Sequence, residues 1–159
     1  MKPFVIAVAV ACATGTVSAQ AAVYATDYAS LAGTATTANF SFITSDTLNS
    51  RGGYDIMSLE GNVNGSTITS LVPNPNRPAA SVVDGYSFDN IYYNAPNILD
   101  SDGVLFHTAD GLQYNLWNND NPLYLLEATN NNPDGTRNQS IGQVGRQGTI
   151  TPPIAAHGC

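Results

Sequence analysis

The most regular pattern in the chain is a short alternation of apolar and polar residues, interrupted about every eight to twelve residues by Gly, Asn, Asp or Pro. In NFSFITSDTL (residues 39–48), Phe40 and Phe42 share one face with polar neighbours between them, as a half-buried strand requires. YDIMSLEGNV (54–63) and STITSLV (66–72) flank Asn64-Gly65. That dipeptide suits a type I′ turn, whose two central positions both need positive φ. The turn pairs Val63 with Ser66, Gly61 with Ile68 and Leu59 with Ser70. PNPNRPAA (73–80) reads as a loop, because its prolines cannot donate to a ladder. YSFDNIYY (86–93) is a further strand, introduced by Asp84-Gly85 and followed by a loop over 94–102.

GVLFHTADGLQYNLWNNDNPLYLLE (103–127) reads as a three-stranded meander. A type I′ turn at Asp110-Gly111 would set His107 opposite Tyr114, Leu105 opposite Leu116 and Val104 opposite Trp117. Beyond residue 129 an Asn-rich run forms a long exposed loop, and 140–151 supplies a last, Gly-weakened strand. Residues 22–37, rich in Ala, Thr and Gly, are either an extended lead-in strand or a flexible arm. No stretch beyond the N-terminal segment keeps a helical period. The expectation is therefore an all-β domain over 38–151, an antiparallel β-sandwich or barrel-like sheet of roughly 7–9 short strands, with 152–159 as a flexible tail.

The N-terminus changes the compartment. Lys2 precedes an apolar run over 4–13, and Ala19-Gln20-Ala21 offers small residues for cleavage, so 1–21 reads as a secretory signal peptide. The apolar run is shorter than the ~20 residues a bilayer-spanning helix needs. Export removes Cys12 and leaves Cys159 without an intramolecular partner, so stability must come from sheet packing. Five basic residues face twelve acidic ones, for a formal net charge of −7. Lys2 is the single lysine, and Arg51, Arg77, Arg137 and Arg146 are the remaining cations. Such a balance argues against nucleic acid and anionic membranes as partners, since polyanions reward clustered Lys and Arg.

Candidate chemistry is sparse. Histidines stand only at 107 and 157, no G-x-S-x-G elbow or H-E-x-x-H is present, and one exported cysteine cannot build a thiolate zinc site. His107 is expected as a hydrogen-bonded strand residue, and the chain is expected not to be an enzyme. Asp100-Ser101-Asp102-Gly103 offers oxygen ligands for a structural calcium at Asp100 and Asp102, although Ile98 and Ala109 break an EF-hand pattern. Asp84, Asp89, Asn118, Asn119 and Asp120 are further oxygen donors. Trp117, Asn118, Asn119 and Asp120 with Tyr92 have the composition of a sugar-binding rim, in which rings stack on pyranose faces and amides bind hydroxyls; the alternative is that the rings pack the core.

Three segments together resemble a known family. GYDIMSLEGNVNGSTITSL (53–71), DGYSFDNIYYN (84–94) and LDSDGVLFHTADGLQYNLWNNDNPLYLLEA (99–128) look like the exported β-domain of bacterial PEP-CTERM proteins, which an exosortase sorts. The matching motifs are the Asn-Gly hairpin over 61–71, the Asp-x-x-Gly-Val-x-Phe strand over 100–106 and the Asn-Leu-Trp strand over 115–117. The resemblance implies residence in the bacterial envelope or outside the cell, and partners among exopolysaccharide and other matrix or envelope proteins. It implies no catalytic residues. Members end in Pro-Glu-Pro, a hydrophobic helix and an Arg-rich stretch, whereas this sequence ends Thr151-Pro152-Pro153-Ile154-Ala155-Ala156-His157-Gly158-Cys159. The reading is a freely secreted relative or a frame altered before the sorting motif.

Overall fold

In a computed structural model, which describes residues 23–93, 97–118, 123–131 and 137–150, the sheet expected from the alternation closes on itself. The strands are β1 (Val23–Gly33), β2 (Thr37–Leu48), β3 (Tyr54–Val63), β4 (Ser66–Leu71), β5 (Ser81–Val83), β6 (Tyr86–Phe88), β7 (Ile91–Tyr92), β8 (Val104–Thr108), β9 (Gln113–Asn118), β10 (Leu123–Asn131) and β11 (Arg137–Ile150). They run in the order β2-β1-β11-β10-β9-β8-β4-β3, and β3 pairs back onto β2. The result is a closed antiparallel barrel of eight strands, to which β7 adds a short ninth at the Tyr54–Asp55 end of β3. Among the described residues there is no helix, and so none long and apolar enough to cross a membrane.

Closure depends on the segment that the sequence left between strand and arm. Val23 pairs with Ile150 on one side and with Ile43 on the other, so β1 joins β11 to β2 and is an integral stave. The last strand begins earlier than the Gly-rich pattern suggests, at Arg137, and β10 runs on to Asn131. Part of the segment expected as an exposed loop is therefore strand, and residues 132–136 lie outside the described set.

Large apolar side chains fill the interior. Phe42, Ile56, Val63, Val104, Phe106 and Leu116 are essentially inaccessible, and Phe106 packs between Phe40 and Tyr114 with ring centroids 5.8 Å apart on either side. Tyr92 on β7 enters the same core and stacks on Tyr24 at 4.1 Å. A second, smaller core lies outside the barrel, where the β5–β6 hairpin covers Leu105 and Val72 with Tyr86 and Phe88. This arrangement explains why β8 is buried on both faces: Val104 and Phe106 point inward, Leu105 outward beneath the hairpin.

Two turns depart from expectation. Asn64 (φ 49°) and Gly65 form the expected hairpin with Val63 opposite Ser66, but Asp84 (φ 50°) and Gly85 make a second one, joining β5 to β6. At Asp110 φ is not positive. The loop there spans Ala109, Asp110 and Gly111, closed by Thr108 N–H donating to Leu112 O at 3.0 Å. The Asp110 carboxylate accepts from the Thr108 hydroxyl at 2.6 Å, which favours this wider turn over a type I′ turn. The register moves by one residue. His107 faces Gln113, Leu105 faces Asn115, and Val104 faces Leu116. The run 86–93 is also split, because Asn90 at φ 57° ends β6 and restarts the chain as β7.

Candidate functional site

Among the described residues, one group of three carboxylates gathers where the β2–β3 turn meets the chain between β6 and β8. Asn49 shapes the turn, its side-chain oxygen accepting from Arg51 N–H at 2.9 Å and Gly53 N–H at 3.3 Å, and this presents Arg51 to three carboxylates. Asp89 follows β6 and is fully buried, with its N–H and that of Asn90 both donating to Gly103 O. Asp100 and Asp102 flank the turn into β8. Asp100 Oδ1 accepts from Asp102 N–H at 3.0 Å and Gly103 N–H at 3.1 Å.

Each carboxylate has one oxygen held by a neutral donor and the other aimed at the guanidinium. Asp89 Oδ1 accepts from Ile91 N–H at 3.0 Å, while Oδ2 faces Arg51 Nη1 at 3.0 Å as an ion pair. Asp102 Oδ1 accepts from the Ser87 hydroxyl at 2.6 Å, and its Oδ2 is 3.7 Å from Arg51 Nη2. Asp100 Oδ2 lies 3.1 Å from Nη2 and also accepts from the Tyr93 hydroxyl at 3.3 Å. One oxygen from each of the three lies within 4.8 Å of the others.

The electrostatics follow from this crowding. Burial, with Asp100 alongside, pushes the Asp89 carboxyl up to about 7, against the pull of its Ile91 hydrogen bond and of Arg51. Burial and then Asp100 likewise push the Tyr93 phenol up to about 12. The arrangement has the donor chemistry of a hard-cation site, but here the cation is Arg51, covalently attached. It clamps three chain segments together.

Asp100 and Asp102, the sequence-derived metal candidates, are thus brought together, and the structure adds Asp89 and Arg51. Arg51 carried one signal in the sequence, a scarce cation beside a Gly-Gly turn in an acidic chain, which its pattern alone gave no reason to pair with Asp89. Of the sugar-rim residues, the described ones are divided between the outer face and the interior. Trp117 is half-buried on the outer face and stacks on Tyr124 at 4.4 Å with 13° between the planes. Asn118 is buried, and Tyr92 is in the barrel core, because the split at Asn90 turns it inward. Asn119 and Asp120 lie outside the described residues, as do residues 1–22, expected as a signal peptide over 1–21, and 151–159 with the expected tail and His157.

Comparison with known protein families, curated proteins and solved structures finds no match. His107, expected as a hydrogen-bonded strand residue, lies on the outer face between Gln113 Oε1 (3.1 Å from Nε2) and Ser70 Oγ (3.4 Å from Nδ1). Such a histidine is oriented by its neighbours on both ring nitrogens.

Proposed function

We propose that the chain is an exported, non-catalytic β-barrel domain of the bacterial envelope or exopolysaccharide matrix, acting through its outer surface. The observation that carries this reading is the filled interior: small barrels bind ligands in a lumen only when side chains leave one, and here Phe42, Ile56, Phe106 and Leu116 occupy it. The carboxylate cluster found among the described residues is used internally, around Arg51. The signal-like N-terminus and the PEP-CTERM-like motifs support the location. The expected result is no turnover on a panel of glycosides, esters and peptides; a turnover that His107→Ala abolishes would overturn the reading.

A second reading, carbohydrate binding at the outer face, is favoured by the half-exposed Trp117–Tyr124 stack. Trp117 is the single tryptophan, so its emission reports on that face alone. Titration with matrix polysaccharide is expected to quench it, and Tyr124→Ala to weaken the response. Flat titrations with several unrelated glycans would remove this reading and leave the first intact.

A further inference from the structure

Trp117 belongs to a row of outward side chains that crosses three strands. It lies opposite Tyr124 on β10, and Tyr124 lies opposite Ile141 on β11. Opposed residues of an antiparallel pair share a face, so the three are neighbours on the outside of the barrel. The Tyr124 ring covers one face of the indole, at 4.4 Å and nearly parallel to it. The other face turns toward β8, where the neighbour is Gly103. A Cβ at Gly103 would fall 2.7 Å from Trp117 Cβ, so this position abuts the tryptophan and carries no side chain to cover it.

The surroundings of this slot are polar. Asn115, two residues before Trp117 and on the same face of β9, donates through Nδ2 to Ser87 O at 3.1 Å and to Asp102 O at 3.4 Å. Asn118 N–H donates to Asp100 O at 2.8 Å, so the turn over 100–103 runs alongside Trp117 and Asn118. The Ser87 hydroxyl holds Asp102 Oδ1 at 2.6 Å. Of the carboxylate oxygens aimed at Arg51, Asp102 Oδ2 is the least engaged, 3.7 Å from Nη2 against 3.0 Å for Asp89 and 3.1 Å for Asp100. At 3.7 Å it makes no hydrogen bond there, and the Asp102 side chain is 24% exposed. The clamp leaves one charged acceptor spare, on the residue next to Gly103.

We propose that the slot over Gly103 binds a neutral pyranose residue, with its apolar face on the open face of Trp117 and a ring hydroxyl donating to Asp102 Oδ2. This rests on the carbohydrate reading of the Trp117–Tyr124 stack, and adds the class of sugar and the side from which it is held. Each part answers a need of the ligand. A pyranose presents C–H groups on one face, which a flat ring desolvates. It presents hydroxyls on its edge, which a carboxylate takes as charge-assisted hydrogen bonds. Gly103 allows the close approach to the backbone that a side chain would block. On the other side of the stack Tyr124 is followed by Ile141, which has no group to receive a hydroxyl. Uronates are turned away, because their carboxylates would meet Asp102 and Asp100 in a chain of net charge −7.

The test follows Trp117 emission in the exported chain during titration with cellotriose, isomaltotriose and mannotriose, and with trigalacturonate as the anionic counterpart. At least one neutral trisaccharide should change the emission, and trigalacturonate should bind more weakly. Asp102→Asn, which keeps the side-chain shape and a partner for the Ser87 hydroxyl, should weaken the neutral sugar by about tenfold through loss of the charged acceptor. Glu60→Gln, at an exposed carboxylate on β3, should leave binding unchanged. In the complex, NOEs are expected between sugar ring protons and Gly103 Hα. A flat response to all four sugars would remove the carbohydrate reading and the slot together. Binding that Asp102→Asn leaves intact, binding that trigalacturonate equals, or NOEs to the Ile141 methyls in place of Gly103 would keep the carbohydrate reading and overturn the slot. The NOE and trigalacturonate arms use the wild-type chain, so they decide the matter even where the variant is unstable.

Discussion

Arg51→Ala is expected to lower folding stability by about 3 kcal/mol at pH 8, measured by urea denaturation. This is the low end for breaking a pair with a buried carboxylate, because Arg51 itself is partly exposed. The substitution strands Asp89, Asp100 and Asp102 around an empty centre, and their mutual repulsion falls mainly on the fully buried Asp89. The loss should shrink toward pH 5, where Asp89 takes up a proton. Millimolar calcium should recover part of the loss in the variant and leave the wild type unmoved, since the guanidinium already holds the cation position. A wild-type melting temperature raised by calcium and lowered by chelator would instead show that a metal displaces Arg51.

The same cluster sets a pH dependence of definite sign. Asp89 has a folded pKa of about 7, above its ordinary 3.8, so the folded state holds a proton that the unfolded chain releases between these values. Its contribution to stability is complete below about pH 4 and is lost as pH rises through 7, amounting to a few kcal/mol. Asp89→Asn keeps an acceptor for Ile91 N–H and cannot ionise, so its stability should be nearly flat from pH 5 to 8 where the wild type declines. A wild type equally flat over that range would mean that Arg51 compensates the buried charge fully.

The second large effect is expected at Gly103. Its carbonyl receives both Asp89 N–H and Asn90 N–H, its φ is +73°, and a Cβ would overlap Leu116 O and Trp117 Cβ. Gly103→Ala combines a disfavoured left-handed backbone with a collision against a strand, and should cost about 3 kcal/mol or more. Gly111→Ala is the control. Its φ is +83° but nothing lies near the added methyl, so about 1 kcal/mol is expected from the backbone alone. Equal losses at the two sites would show that β9 yields and that packing at Gly103 is loose.

How much of this was readable in the chain varies from element to element. Asn64-Gly65 carries its turn type in two residues, because few other pairs accept positive φ twice, and the first pair of its register followed. Asp110-Gly111 looks the same locally, yet the Thr108 hydroxyl and the Asp110 carboxylate select a wider loop and shift the register by one. Asp84-Gly85 was legible as a turn, but not as a hairpin, since β5 and β6 have three residues each and lean on Leu105 for their stability. Tyr92 fits a sugar-binding rim by composition and ends in the core, because one residue at positive φ, Asn90, redirects it.

By itself the sequence determined the all-β class, the antiparallel meander and the gathering of Asp100 with Asp102 in one turn. These rest on local rules: period-two alternation, turn chemistry and short-range spacing. The tertiary structure decided barrel over sandwich, because closure needs β1 and β11 to meet across more than a hundred residues of chain. It also decided what the acidic turn is for. Asp89 and Arg51 reach Asp100 from separate segments, and only their approach turns two turn-forming aspartates into a clamp around a guanidinium.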